Sequence, residues 1–162
     1  MKKIRNRKQK VLVIVAIFAV LILIFAYFFK VGQNEIYTSD TMQIVFVVPQ
    51  GLEVSERFGS VKLEKDNSLI LLDRNGTNFS NVDEYLQDLS VENGFKLKKQ
   101  EKLKIDNMDA VRGEIEHPSS PNEDNLSYFI YVNNRVYTLS TSSESLYDDL
   151  DQIAKSFKYT GD

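Results

Sequence analysis

An uninterrupted apolar run near the start of the chain constrains this sequence more than any other feature. It begins at Val11, ends at Phe29 and contains nineteen residues without a charge. At about 1.5 Å per helical residue, such a run covers roughly the 30 Å hydrocarbon core of a bilayer. A secretory signal peptide has a shorter run and a small-residue cleavage site, and a buried helix of a soluble domain is seldom apolar on every face. The sequence therefore predicts an uncleaved, single-pass transmembrane anchor.

Basic residues around this run predict its orientation. The side that carries more lysine and arginine stays in the cytoplasm. Only Lys30 follows the run closely, so we expect a cytoplasmic N-terminus, a C-terminal part outside the cytoplasm and a location in the cell membrane. The predicted divisions are a basic tail (1–10), the anchor in the lipid bilayer (11–29), a short linker (30–40) and a folded domain (41–160). The basic residues that precede the run are Lys2, Lys3, Arg5, Arg7, Lys8 and Lys10.

The rest of the chain is acidic and contains no cysteine. From residue 31 onward, 13 lysines and arginines stand against 23 aspartates and glutamates, a net charge of −10. A surface of that charge repels phosphate groups, so we expect no nucleic-acid partner. Stability must come from core packing, because no disulfide can form. The length of this part fits one domain.

Short apolar and alternating segments after the linker predict four strands. The run "MQIVFVVP" is short and β-branched, which is typical of a strand buried on both faces. The segment "LEVSERF" alternates, with Leu52, Val54 and Phe58 on one side. The segment "SVKLEK" alternates again, and "SLILLDR" is a second buried run. Four such strands in sequence predict an antiparallel meander.

The hydrophobic period then changes to that of a helix. The apolar residues of this segment recur at i, i+3, i+4 and i+7, which places them on one helical face. Asn81 and Glu84 have the spacing of a capping box, and Gly94 is placed to end the helix. A helix lying on the sheet is therefore predicted here. The residues on its apolar face are Val82, Tyr85, Leu86 and Leu89.

The second half of the chain repeats the pattern of four strands and a helix. The segments "FKLKKQEKLKI" and "MDAVRGEIEH" predict strands, and a polar loop over 118–124 interrupts them. A hairpin follows in "LSYFIYVNNRVYTLSTS", turning at Asn133 and Asn134. Leu146, Leu150, Ile153 and Phe157 then form a helical stripe, with Asp148, Asp149 and Asp151 on the opposite face.

Five segments of the domain resemble one known family in their order and at a few positions. They are "VVPQGLEV", "NVDEYL", "IDNMDAVRGEIE", "YFIYVNNRVYTLSTSS" and "IAKSFKY". Over about residues 37–159 the chain is similar to a PsbP-like domain. The resemblance implies an antiparallel sheet sandwiched by helices, used in chloroplast photosystem proteins as a docking subunit and elsewhere as an adaptor. The predicted fold is therefore α+β, an antiparallel β-sheet flanked by helices in an αβα sandwich, preceded by a single transmembrane helix.

Catalytic patterns are missing from the sequence. The chain has no cysteine, no nucleophile elbow, no zinc-protease motif and no phosphate-binding glycine loop. His117 stands beside Pro118 at a polar loop without an identifiable orienting partner, so we expect a solvent-exposed residue and not a general base. We therefore predict no enzyme and no cofactor. A carboxylate-based hydrolase stays open as an alternative, because the domain is rich in acids.

Acidic clusters raise the alternative of a cation site. Asp148, Asp149 and Asp151, or Asp106 and Asp109, offer oxygen ligands that calcium prefers. Neither group has the spacing of a calcium-binding loop. Acids in the first turn of a helix are favoured by its dipole, and the second pair brackets a predicted turn. We therefore predict no metal ligand at either place.

Aromatic side chains of the hairpin are the remaining candidate surface, together with His117. Tyr128 points to the face opposite Phe129 and Tyr131, so these three and Tyr137 cannot all line one groove. Two functions stay open. One is an interaction module that docks on another envelope protein through a sheet face or the loop 118–124. The other is a small-ligand or cation-binding domain, for which a cavity with converging polar groups would be the sign.

Overall fold

Strands dominate the folded part of the chain. The computed structural model describes residues 35–117 and 120–161, and within these ranges ten strands and two helices form. The helices are α1 (Val82–Asn93) and α2 (Tyr147–Ser156), and a short 3-10 turn (Glu144–Leu146) precedes α2. The strands are β1 (Glu35–Ser39), β2 (Ile44–Val48), β3 (Glu53–Arg57), β4 (Ser60–Lys65), β5 (Ser68–Gly76), β6 (Lys96–Ile105), β7 (Met108–His117), β8 (Ser120–Val132), β9 (Arg135–Thr141) and β10 (Lys158–Tyr159).

These strands form two antiparallel sheets. The large sheet has the order β3-β4-β5-β9-β8-β7-β6, and the small sheet has the order β1-β2-β10. The prediction of an α+β fold with antiparallel sheets and two helices is confirmed. The prediction of one meander through the first four strands is wrong, because β2 pairs with β1 and with β10 at the end of the chain. Pro49 and Gly51 (φ 85°) then redirect the chain toward β3.

Helix α2 and the small sheet cover one face of the large sheet. We call this the α2 face. Its core is large, and the apolar stripe predicted for the last helix is buried in it. Aromatic rings join the layers, with the ring centroids of Tyr137 and Phe157 5.3 Å apart. Fully buried side chains of this core include Met42, Ile44, Phe46, Leu63, Ile70, Leu72, Leu126, Ile130, Leu139, Leu150 and Ile153.

Helix α1 lies on the opposite face, which we call the α1 face. Its predicted ends are confirmed: Asn81 Oδ1 accepts the backbone N–H of Glu84 at 2.9 Å, and Gly94 (φ 68°) donates its N–H to the carbonyl of Ser90 at 3.0 Å. Its core is much smaller than that of the α2 face. The members are Val82, Val111, Phe129 and Val136, with Tyr85, Leu86, Leu89, Leu97, Ile115 and Tyr131 half-buried around them.

Two strands that the sequence predicts to be buried on both faces, β5 and β2, are fully buried on one face only. In β5, Ile70 and Leu72 are buried on the α2 face, whereas Leu69 on the other side is 37% exposed. In β2, residues of one face are buried and Val45 and Val47 of the other are half-buried. In both strands the apolar run therefore accompanies a single fully buried face.

Four two-residue hairpin turns lie within the described chain, and both turn residues of each have positive φ. Three of them use the residues that adopt this conformation most readily: Asp66 and Asn67, Asp106 and Asn107, Asn133 and Asn134. The last pair confirms the predicted hairpin. The fourth turn, between β3 and β4, uses Phe58 (φ 53°) and Gly59 (φ 79°). Phe58 was predicted inside a strand, with its side chain on the apolar side, and it is instead the tip of the hairpin.

Strand β8 begins where the sequence predicts a loop, and the outer strand β6 is irregular. The sequence predicts a loop over 118–124, whereas β8 begins at Ser120 and pairs with β7. Residues 120–125 of this strand precede the part that pairs with β9, so Pro121 removes no hydrogen bond from that pairing. At the outer edge, β6 is rich in lysine and carries an irregularity between Lys98 and Glu101.

The start of the folded unit lies inside the predicted linker. Residues Glu35–Ser39 form β1, so the compact unit begins at Glu35 and not at residue 41. No helix within 35–117 or 120–161 is long and apolar enough to cross a membrane. The predicted basic tail and the predicted anchor, from Val11 to Phe29, lie outside the described residues.

Candidate functional site

A pocket opens between helix α1 and the middle of the large sheet. Its volume is about 330 Å³, at the lower end of the range for small-molecule sites. It lies on the α1 face, at the border between the part of the large sheet that helix α1 covers and the part that it leaves uncovered. The lining residues are Asp73, Asn75, Tyr85, Leu89, Phe95, Ile115, Asn125, Ser127, Phe129, Thr138 and Ser140.

A row of small residues accounts for this space. Ser140, Ser127 and Gly113 are direct neighbours across β9, β8 and β7. The next row over, which includes Phe129, carries the larger side chains that pack against α1. A Cβ on Gly113 would lie 2.6 Å from Leu97 Cδ1, so Leu97 fills the space above this glycine and bounds the row on that side.

Ser127 is the residue of this pocket that packing does not explain. It is 0% exposed, and among the described residues its Oγ is the buried side-chain polar atom that has no hydrogen-bond partner. Buried hydroxyl groups are nearly always paired, and an unpaired one lowers stability. A serine in this position is therefore costly to the fold unless something entering the pocket bonds to it.

Polar groups from three strands and the helix surround the opening. The Asp73 carboxylate accepts a hydrogen bond from the hydroxyl of Ser60 on the neighbouring strand. Burial raises the pKa of Tyr85, and hydrogen bonds with Asn75 and Thr138 oppose that rise. The phenol of α1 therefore lies beside side chains of β5 and β9 in the lining of the pocket.

The four predicted aromatic candidates divide between the two faces of the sheet, as their alternation predicts. Tyr128 (2% exposed) and Tyr137 (0%) lie in the core of the α2 face, where they are not available to a docking partner. The Tyr137 hydroxyl donates to the carbonyl of Met42 at 2.6 Å. Phe129 and Tyr131 lie on the α1 face, and Phe129 forms part of the pocket.

Tyr128 belongs to a bonded network that joins the large sheet to helix α2. Its hydroxyl donates to Asp151 Oδ1 at 2.7 Å, and Arg112 Nε donates to the same oxygen at 3.1 Å. Burial and the Asp151 carboxylate raise the pKa of Tyr128. Burial alone lowers the pKa of Arg112, but the bonds to Asp151 and Tyr128 raise it overall. The network is a structural one, since each of its charges already has a partner.

Three of the five predicted acidic candidates are paired within the fold. Asp151 turns toward the sheet and not to the solvent side of α2, and Asp149 pairs with Lys65 at 3.1 Å. Asp109 pairs with Lys104 at 2.7 Å. Among the side chains that the structure describes, no three acidic groups lie where they could hold one metal ion. His117 ends β7, and its side chain lies outside the described part of the chain.

Two functional candidates, Ser127 and Phe58, escape sequence reasoning for different reasons. Ser127 sits between apolar neighbours in "LSYF", and its isolation depends on facing Gly113 and Ser140, which only the strand register reveals. Phe58 has a local signal, because Phe-Gly between two alternating segments has the spacing of a two-residue hairpin turn.

A known structure shares this fold at low sequence identity. The solution structure of cyanobacterial PsbP from Synechocystis sp. PCC 6803 matches with a TM-score of 0.55 and 13% identity, over 77% of this chain and 91% of that one. The chain therefore has a PsbP-like fold. A protein of unknown function from Pseudomonas aeruginosa aligns with a TM-score of 0.39 and 17% identity, over 71% of this chain and 87% of that one. No protein-family model and no curated protein matches the sequence.

Proposed function

We propose that the protein is anchored in the cell membrane by residues 11–29 and that its folded domain docks on another envelope protein. In this proposal the domain lies outside the cytoplasm, and the contact is made by the tip of the β3–β4 hairpin. The apolar run, the basic residues before it and the PsbP-like fold support the general form of the proposal. One observation, the exposure and conformation of Phe58, carries the choice of surface.

The backbone conformation and the exposure of Phe58 lower the stability of the isolated domain. Its backbone has a φ of 53° and its side chain has a relative exposure of 105%. A bulky residue in the left-handed region costs on the order of 1–3 kcal/mol. Full exposure returns none of this energy through burial. The three equivalent turns use aspartate and asparagine, which avoid that cost. A partner that buries the ring would offset it, since aromatic anchors dominate protein interfaces.

The other exposed apolar side chains do not form a competing patch. Ile36, Leu69 and Val91 are the further large apolar residues that are exposed within the described ranges, and they lie on β1, β5 and α1. Single apolar residues scattered over a surface are normal. Val91 is 79% exposed in an ordinary helical conformation, which makes it a matched control for Phe58.

Membrane topology is tested first, with single-cysteine variants in a chain that has no cysteine of its own. A membrane-impermeant maleimide applied to intact cells should label Ser142→Cys, an exposed position of the folded domain. The same reagent should label Asn6→Cys only after the membrane is opened. Labelling of Asn6→Cys alone in intact cells would reverse the proposed orientation, and labelling of both would exclude the anchor.

Docking is tested by placing a photo-reactive phenylalanine analogue at position 58 of the full-length protein in cells. We expect a discrete cross-linked protein from position 58 and none from the same analogue at position 91. Equal cross-linking from both positions, or none from position 58, would contradict the proposal. Cross-linking of position 58 to lipid in place of protein would also contradict it, because the tip would then contact the membrane.

A substitution separates recognition from folding at the same position. Asparagine adopts the left-handed conformation more readily than phenylalanine, so Phe58→Asn should stabilise the fold by up to about 1 kcal/mol. We expect this variant to lose co-purification of the partner identified by the cross-link, while Val91→Asn retains it. A Phe58→Asn protein that is well folded and still binds normally would exclude the hairpin tip as the docking surface.

A further inference from the structure

We propose that the pocket beneath helix α1 binds one sugar-like ring, an uncharged molecule with several hydroxyl groups, and that Ser127 Oγ bonds to it. This site is separate from the hairpin tip, and neither proposal depends on the other. It rests on three features of the described residues. They are the charge of the lining, the mixture of aromatic and hydroxyl groups, and the unpaired oxygen of Ser127.

The charge of the lining restricts the class of ligand. Within the part of the chain that the structure describes, Asp73 is the one charged residue of the lining, and no lysine, arginine or histidine is among the lining residues. A phosphate or carboxylate would approach this carboxylate with no cation to balance it, so an anionic ligand is disfavoured. A calcium ion takes about six to eight oxygen ligands, carboxylates prominent among them, whereas the described lining supplies one carboxylate. An uncharged polar ligand fits the lining best.

The polar side chains match hydroxyl groups in particular. Ser127, Thr138 and Ser140 each offer a hydroxyl that both donates and accepts, and Asn125 offers an amide with both functions. A ligand hydroxyl also donates and accepts, so it satisfies such groups in pairs. An apolar ligand would leave them unpaired at the cost of their desolvation.

Aromatic and aliphatic side chains line the same space. Phe129 and Phe95 lie in the lining with Leu89 and Ile115. They offer a surface for the C–H side of a ring whose edge carries hydroxyl groups. The volume of about 330 Å³ is small for a binding site, which suits one ring and not an extended chain.

The unpaired hydroxyl of Ser127 is the observation that favours a bound ligand over a simple packing defect. Its Oγ is 0% exposed, belongs to the pocket lining and lacks a partner in the protein. If the pocket had only a structural role, Ser127→Ala would improve the fold and change nothing else. If a ligand bonds to this oxygen, the same change weakens binding while the fold remains intact. The two interpretations therefore predict different results for one variant.

The test uses the full-length chain in micelles of a detergent without a sugar headgroup. Glucose, N-acetylglucosamine and their β-1,4-linked disaccharides are titrated to about 20 mM, a range that detects weak single-ring binding. The readout is the backbone amide NMR signals of Gly113, Ser127 and Ser140, with exposed Ser55 as the reference position. We expect saturable shifts at the pocket residues for at least one monosaccharide, and no shift at Ser55.

The variants decide the outcome. Ser127→Ala should weaken binding about threefold to tenfold, the effect of one neutral hydrogen bond, whereas Ser55→Ala should not change it. Asn125→Ala, at a half-buried position, provides a second variant with the same expectation. The proposal is overturned if no sugar shifts the pocket signals, or if Ser127→Ala binds as tightly as the unaltered chain. A disaccharide that binds far more tightly than either ring would overturn the single-ring assignment.

Discussion

The two faces of the large sheet differ in how completely their buried polar groups are paired. On the α2 face, the buried hydroxyl groups of Tyr128, Tyr137 and Thr141 each have a partner. On the α1 face, Ser127 has none. The α2 face also holds most of the buried apolar side chains, and α1 covers only part of the other face. One face is therefore built for stability, and the other gives up stability where a pocket opens.

The largest test of this difference is a pair of leucine truncations, one from each helix. Leu150→Ala removes a fully buried side chain of α2 and should lower the free energy of unfolding by about 3 kcal/mol. Leu89→Ala removes a half-buried side chain of α1 and should cost about 1 kcal/mol. Urea unfolding followed by circular dichroism measures both. Equal losses would show that the two faces contribute alike.

The network between the sheet and α2 provides the next test. Asp151→Ala should cost about 2 kcal/mol, because it leaves Arg112 and Tyr128 without their common acceptor. Asp149→Ala removes a pair with the half-exposed Lys65 and should cost less than about 1 kcal/mol. The same unfolding measurement applies. A loss at Asp149 as large as the loss at Asp151 would remove the distinction between these two acids.

Removing one buried hydroxyl group from each face of the large sheet compares what these two groups contribute to stability. The Thr141 hydroxyl donates to the carbonyl of Leu69 at 2.7 Å, so Thr141→Val should cost about 1 kcal/mol. Ser127→Ala removes an unpaired hydroxyl and should leave the free energy of unfolding unchanged or slightly higher. Thermal unfolding of the two variants provides the measurement. A clear destabilisation by Ser127→Ala would mean that its oxygen is paired in solution.

The smallest effect is confined to alkaline pH and concerns Tyr37 of the small sheet. Burial, with the bonded Glu56 carboxylate, raises the pKa of Tyr37 from 10.0 to about 12. Its contribution to stability is therefore complete below pH 10 and is lost as the pH rises from 10 to about 12. Tyr37→Phe should lose less stability across that interval than the unaltered chain. Parallel unfolding measurements at several pH values would contradict this if the two slopes were the same.

Helix caps and hairpin turns were predicted from the sequence, because each depends only on residues that are neighbours in the chain. The ends of α1 follow from Asn81 and Gly94, and the last hairpin follows from Asn133 and Asn134. The PsbP-like arrangement was also predicted, from the order of the segments. The ends of α1 and the turn of the last hairpin are each encoded within a few residues of where they appear.

Features that depend on distant pairings were not predicted. The small sheet requires β10 at the end of the chain to pair with β2, about 110 residues earlier in the sequence. Asp151 looks like a solvent-facing acid until Arg112 of β7 is placed beside it. The pocket requires Ser127 to face two other small residues across the sheet. Hydrophobic pattern alone contains none of this information.

The lysine-rich outer strand of the large sheet has a consequence for the behaviour of many copies together. Strand β6 is ten residues long, half of them lysine, and its register shifts between Lys98 and Glu101. A long, regular edge strand is a template onto which a second chain can add its own strand. The charged, hydrated side chains along this edge and the interrupted register oppose such addition. Copies crowded together should therefore resist growing into continuous intermolecular sheets, which protects them from aggregation.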